Sequence, residues 1–118
     1  DVSRFNNNLF MPTIEIIPPE PIVRAIETVN DEDCFFSEAK AGEVVLETFN
    51  STVLEVEVDV YQIRSSVDSR FVGSLSAGPG QDEEVLTFDP NYPVLIVAKS
   101  GDGRAAPSGG SRYAVNYY

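Results

Sequence analysis

The chain contains no histidine and no tryptophan, and Cys34 is the one cysteine in its 118 residues. Ser-His and Cys-His nucleophile pairs, His-ligated zinc and Cys-based zinc clusters therefore cannot be assembled from this chain alone. A single thiol cannot close an intrachain disulfide, so Cys34, beside Phe35 and Phe36, reads as a small buried hydrophobe or as a crosslink between chains. Positive charge is also scarce. Eight basic residues face 19 acidic ones, for a net charge of -11. Such a field repels nucleic-acid phosphates and anionic lipid, and neither is expected as a partner. Long apolar runs are missing as well: Val94 to Ala98 is far too short to cross a bilayer. Yet 42% of the residues are hydrophobic, too many for a disordered chain and enough for the core of one domain.

What is present is alternation. From Thr52 to Tyr61, Leu54, Val56, Val58 and Val60 share one face while Glu55, Glu57 and Asp59 share the other, the pattern of a half-buried β-strand. Further strand-like segments are Thr13–Ile17, Ile22–Val29, Cys34–Glu38, Glu43–Phe49, Arg70–Leu75, Glu84–Phe88, Tyr92–Ala98 and Arg112–Tyr118. Ile22, Ile26 and Val29 also fit a helical stripe, but Pro21 and the strand-rich neighbours favour extension. The gaps carry turn chemistry, including Asn30 to Asp33, Lys40-Ala41-Gly42, Ser65 to Ser69, Gly78-Pro79-Gly80 and Asp89-Pro90-Asn91. The expected fold is all-β: an antiparallel β-sandwich or jelly roll of about eight strands. Residues 1–21 read as an extended N-terminal arm and 22–118 as the sandwich domain, because Pro18-Pro19-Glu20-Pro21 removes ladder donors.

Several of these residues carry a family resemblance. Asn30-Asp31-x-Asp33-x-Phe35-Phe36, Ala41-Gly42-Glu43-Val44, Val58-Asp59-Val60-Tyr61, Glu84 to Phe88 and Tyr113-Ala114-Val115 resemble the pre-peptidase C-terminal domain, a secreted β-sandwich found beside peptidases and in surface proteins. The similarity runs from Val29 to Tyr118. Asp33-Cys34-Phe35-Phe36 to Gly42 is also similar to the GOLD domain of secretory-pathway cargo proteins, whose partner cysteine has no counterpart near Ile96 to Lys99. Both relatives imply a non-catalytic sandwich. Calcium-binding members of the first family imply that the acidic positions Asp31 and Asp33, with Asp59, are metal ligands.

Five features are candidates for function. Asp31, Asp33 and Asp59 offer hard oxygen ligands for calcium, or form a solvated acidic loop, since no EF-hand spacing is present. Glu55, Glu57 and Asp59 stand about 6.5 to 7 Å apart on alternate positions, a separation shared by inverting glycosidases and by ordinary exposed strand faces; no indole platform accompanies them. The arm supplies Phe5, Phe10, Ile14, Ile16 and Ile17 either as a strand donated to a neighbour's sheet edge or as the first strand of its own sandwich. Tyr113, Tyr117 and Tyr118 either make lateral contacts or are ordinary strand residues. Asn50-Ser51-Thr52 is an N-glycosylation sequon, and Asp1 without a preceding apolar segment fits a processed secreted chain as well as a trimmed one.

The expected role is a non-enzymatic extracellular or cell-surface structural protein. It would be the subunit of a filament or coat, with copies of itself or another protein of the same assembly as partners. The alternatives are an accessory module binding carbohydrate, a collagen-like chain or another protein, and a viral capsid decoration protein. No cofactor other than calcium is expected.

Overall fold

The computed structural model describes residues 14–15, 22–30, 32–37, 42–65, 67–89, 91–107 and 109–117. Its strands are β1 (Ile14–Glu15), β2 (Ile22–Ala25), β3 (Glu32–Ser37), β4 (Glu43–Thr48), β5 (Val56–Ser65), β6 (Asp68–Ala77), β7 (Asp82–Thr87), β8 (Val94–Ser100) and β9 (Arg112–Tyr117). They form a five-stranded sheet in the order β1-β3-β8-β5-β6 and a four-stranded sheet in the order β2-β9-β4-β7. The described residues contain no helix. The predicted sandwich is therefore observed, with eight strands of four or more residues and the two-residue β1. Every pairing is antiparallel except that of β1 with β3.

Strand boundaries shift where tertiary contacts override local pattern. Ile22 to Val29 extends only as far as Ala25; Ile26 is fully buried, and the chain turns from Thr28. Glu32 and Asp33, expected in a turn, lie in β3 because six residues pair in register with β8. The expected Ser65–Ser69 loop is a tight hairpin, since Ser65 already faces Asp68. Leu54 precedes β5 yet is buried in the core, and Gly101 N–H holds its neighbour Glu55 by the carbonyl at 2.8 Å.

The core lies between the sheets. Val56, Val58 and Val60 of β5, with Val94, Ile96 and Ala98 of β8, meet Val44, Leu46, Val115 and Tyr117 of the opposite sheet. Alternation puts these side chains on one face of each strand, as expected for β5. Tyr113 and Tyr117 are fully buried, so they are core residues and not lateral contacts. Phe35 meets the Tyr113 ring edge-on at 6.4 Å, and Phe88 stacks on Tyr117 at 6.2 Å.

Gly78 has a positive φ of 86°, and a Cβ there would sit 2.7 Å from the Leu54 carbonyl oxygen. Its loop is tied down on both sides: Thr48 Oγ1 donates to the Gly80 carbonyl at 2.6 Å, and Gly80 N–H donates to the Thr52 carbonyl at 2.8 Å.

Val58→Asp should unfold the domain, because an unpaired charge in the interior costs several kcal/mol. Glu57→Gln, on the half-exposed face, should cost less than about 1 kcal/mol. Thermal melts of the two variants check the assignment of faces, and equal melting temperatures would refute it.

Candidate functional site

The outer face of the five-stranded sheet collects most of the chemistry-bearing side chains, and strand register orders them in rows. At one end Glu32, Lys99, Glu57 and Ser76 stand side by side across β3, β8, β5 and β6. The next row on this face is Cys34, Val97, Asp59 and Ser74, and the third is Phe36, Leu95, Tyr61 and Phe71. The face thus grades from charged to aromatic. At its aromatic end the Tyr61 and Phe71 rings meet edge-on at 5.4 Å.

Lys99 organises the polar rows. Its Nζ lies 3.2 Å from Glu57 Oε2 and 2.9 Å from Asp59 Oδ2, while the Ser74 hydroxyl donates to Asp59 Oδ1 at 2.7 Å. Both oxygens of the buried Asp59 carboxylate are therefore engaged. The hydrogen bond to Asp59 holds the Lys99 ammonium above its usual range; burial opposes this, and Glu57 adds to it. A cation bonded to both carboxylates makes the pair a salt-bridge network and not a hydrolytic acid–base pair, the ordinary reading of this strand face.

The acidic set is not brought to one point. Asp33 belongs to the inward face, where its Oδ2 accepts a 2.6 Å hydrogen bond from Tyr113 Oη, while Asp59 points outward from the same sheet. A single ion cannot be shared by two carboxylates on opposite sheet faces. Asp31 lies outside the described residues. Among the described residues no cluster of three or more metal-ligating side chains forms.

Of the arm, Ile14 pairs in parallel with Phe35, and Glu15 with Phe36, at the β3 edge of this sheet. Phe5, Phe10, Ile16 and Ile17 lie outside the described residues. Asn50 is exposed in a turn. The threonine of its sequon is structural: Thr52 Oγ1 accepts from Phe49 N–H at 3.0 Å and donates to the Arg112 carbonyl at 2.7 Å. Gly101-Asp102-Gly103 is likewise a structural loop. Asp102 accepts from the N–H groups of Glu55 and Arg104, each at 3.1 Å, and from the Ser100 hydroxyl at 3.2 Å. Burial works to raise this carboxyl, but those bonds and the Arg104 charge hold it below the usual range.

Cys34 is buried on the outer face, and its thiol is pushed up to about 12 by burial and then by the charges of Glu32 and Asp33. It is an inert small hydrophobe by environment. A hollow of about 140 Å³ opens between Gln62, Arg70, Phe71, Val72, Phe88 and Asp89. Ligand pockets generally exceed about 300 Å³. Sequence reasoning missed Lys99 and Ser74, because cross-strand partners have no sequence spacing. It also missed the meaning of Val94-Leu95-Ile96-Val97-Ala98, whose lack of alternation signals a strand covered on both faces.

No known family model and no curated protein matches the chain. Solved structures do. CorA, a surface-associated copper-binding protein important in copper acquisition by Methylomicrobium album BG8, superposes with a TM-score of 0.61 at 9% identity over 90% of this chain and 96% of its own. The pre-peptidase C-terminal domain of a collagenase from Bacillus anthracis gives 0.57 at 13% identity, over 90% and 94%. The Yersinia pseudotuberculosis-derived mitogen gives 0.52 at 10%, over 83% and 82%. The fold is a pre-peptidase C-terminal-like β-sandwich. At these identities the likeness is one of fold, and function has to be argued from the site.

Two outcomes are expected from substitution here. Lys99→Met should destabilise the domain by about 1 to 3 kcal/mol, since it leaves two adjacent carboxylates without their cation, and Asp59→Asn in the same chain should recover part of the loss in a double-mutant cycle. Asp33→Asn should cost about 1 to 2 kcal/mol by weakening the bond to Tyr113. That loss should be equal with and without millimolar calcium; a calcium-dependent difference in melting would restore Asp33 as a ligand.

Proposed function

We propose that this chain is a non-enzymatic extracellular structural protein whose copies, or a companion protein of the same assembly, join it through the β3 edge of the five-stranded sheet. The observation that carries the reading is β1. Among the described residues it contributes Ile14 and Glu15, paired in parallel, to the edge of the six-residue β3, and β2 then lies in the other sheet. A strand added to a sheet edge by main-chain bonds can be exchanged for the same segment of a neighbour, and head-to-tail exchange propagates without closing.

Other observations support the class. Lys99, Glu57 and Asp59 of the outer face are spent on one another, and the hollow beside Phe71 is small for a ligand. The surface-associated and pre-peptidase neighbours favour a place outside the cell. Copper binding, a property of one neighbour, finds little support, with no histidine in the chain and its one thiol buried. The second reading, an accessory binding module, rests on the fold shared with the collagenase domain.

Glu15→Cys with Phe36→Cys, in a Cys34→Ala background, places thiols at directly paired backbone positions. Oxidation of the concentrated native protein should give a ladder of covalent oligomers on a non-reducing gel if β1 is donated. Crosslinked monomer alone, together with a monomeric mass by light scattering, would defeat the assembly reading in favour of the binding module.

A further inference from the structure

Two like-charged pairs meet no counter-charge among the described residues. On β4 and β7, Glu47 stands directly opposite Glu83, and both are exposed. Directly opposed side chains of antiparallel strands have Cβ atoms about 4.5 to 5.5 Å apart, and like charges placed so are destabilising. The pair lies on the outer face of the four-stranded sheet, since Val44 and Leu46, on the alternate positions of β4, enter the core. Val85, two residues from Glu83, and Val23, across Ala114 from Glu47, flank it at 46% and 44% exposure. The second pair is basic. Arg70 stands opposite Gln62 of β5, and Arg64 follows two residues after Gln62, so both arginines flank the β5–β6 hairpin. Among the described residues the ion pairs engage Lys99 and Arg104, and neither hairpin arginine; Asp68 and Asp89 border the hairpin without pairing to them. Arg64 is instead held over the Tyr92 ring at 5.4 Å. Val67 and Phe71, 79% and 54% exposed, make an apolar flank with Tyr92. The hollow of about 140 Å³ beside Arg70 and Phe71 is several times the roughly 30 Å³ share of one water, which suits a single inserted side chain.

We infer that these surfaces are the two halves of one contact between copies of this chain, in which the Arg64/Arg70 hairpin of one copy docks on the Glu47/Glu83 pair of the next. The halves match in number, sign and surroundings: two cations face two anions, and Val67, Phe71 and Tyr92 face Val85 and Val23. Arginine and aromatic side chains are also the residues that interface centres favour. Charge complementarity selects a second copy as the occupant. A chain of net charge -11 repels its own copies except where arginine meets acid, and this docking gives the opposed glutamates the cations that their own sheet does not bring to them. Because the two halves are different surfaces, the contact is heterologous, and each copy in a pair keeps one half open for a further copy. It shares with the proposed assembly only the premise that copies associate. The β6 edge is the far side of the five-stranded sheet from β1, so no strand exchange is needed.

Arg64→Ala/Arg70→Ala and Glu47→Gln/Glu83→Gln each remove one half of the contact and leave the other. Self-association of the native protein at low ionic strength, read by sedimentation, should weaken at least about tenfold in either variant, and likewise in about 1 M salt, where the Debye length is about 3 Å. The glutamine variant should melt no lower than the native protein, because it relieves a repulsion, so its loss of association is not unfolding. Mixing the two variants should restore one contact per pair. Isotope-labelled glutamine variant should show amide shifts at Arg64, Arg70 and Phe71 when the alanine variant is added, and labelled alanine variant should show them at residues 47 and 83 and at Val85 in the reverse titration. These amides report the contact whether or not β1 is exchanged, an event that would instead move the amides of β3. No shift at either surface in the mixture, or native association that is insensitive to salt and equal in both variants, would overturn the contact. Shifts at the arginines with polyglutamate, and none with a second copy, would overturn the choice of occupant and assign this surface to a different acidic partner.

Discussion

The central strand β8 is the constraint on which the rest depends. It pairs with β3 on one side and β5 on the other, so it fixes the register of the sheet that carries the outer-face chemistry. Val94, Ile96 and Ala98 enter the sandwich core, Leu95 and Val97 enter the outer cluster, and Lys99 closes the polar end. A shift of one residue would exchange these sets, and because both are apolar the residue that opposes it is Lys99, whose ammonium would be carried into the sandwich core.

Polar groups inside this frame are placed where a partner awaits them. Asp59 is buried with Lys99 and Ser74, Tyr113 with Asp33, Thr48 with the carbonyl of Gly80 in a distant turn, and Thr52 with that of Arg112 at the start of β9. Each bond joins segments far apart in sequence, so these residues tie hairpins together as well as satisfying themselves. The acidic excess is consequently not one site. Part of it is neutralised across strands, while β7, with Asp82, Glu83 and Glu84 exposed, presents charge at the edge of the four-stranded sheet. Charge on an exposed edge strand discourages uncontrolled pairing there. The β3 edge, by contrast, already accepts a strand from another part of the chain.

The fold shared with a copper-binding surface protein, a collagenase domain and a mitogen shows how little architecture restricts task. Within that architecture the described part of this chain joins the edge strand β1 to a sheet whose outer face carries the buried Cys34, Leu95 and Val97.

The sequence by itself determined the strand content, the inward face of β5 and the sandwich. These follow from period-two alternation and turn residues, which act over a few positions. Tertiary structure alone decided that Asp33 and Asp59 face opposite ways, since strand parity converts into geometry only when both strands are set in one sheet. It also decided that Asp59 meets Lys99, that Tyr113 and Tyr117 are core, and that β1 pairs in parallel with β3. Those pairings join residues with no fixed spacing, chosen by which strands become neighbours. The outer cluster lies between the two cases: the unbroken run Val94 to Ala98 announces a strand with no wet face, but only the sheet order shows which side chains lie on its second, buried face.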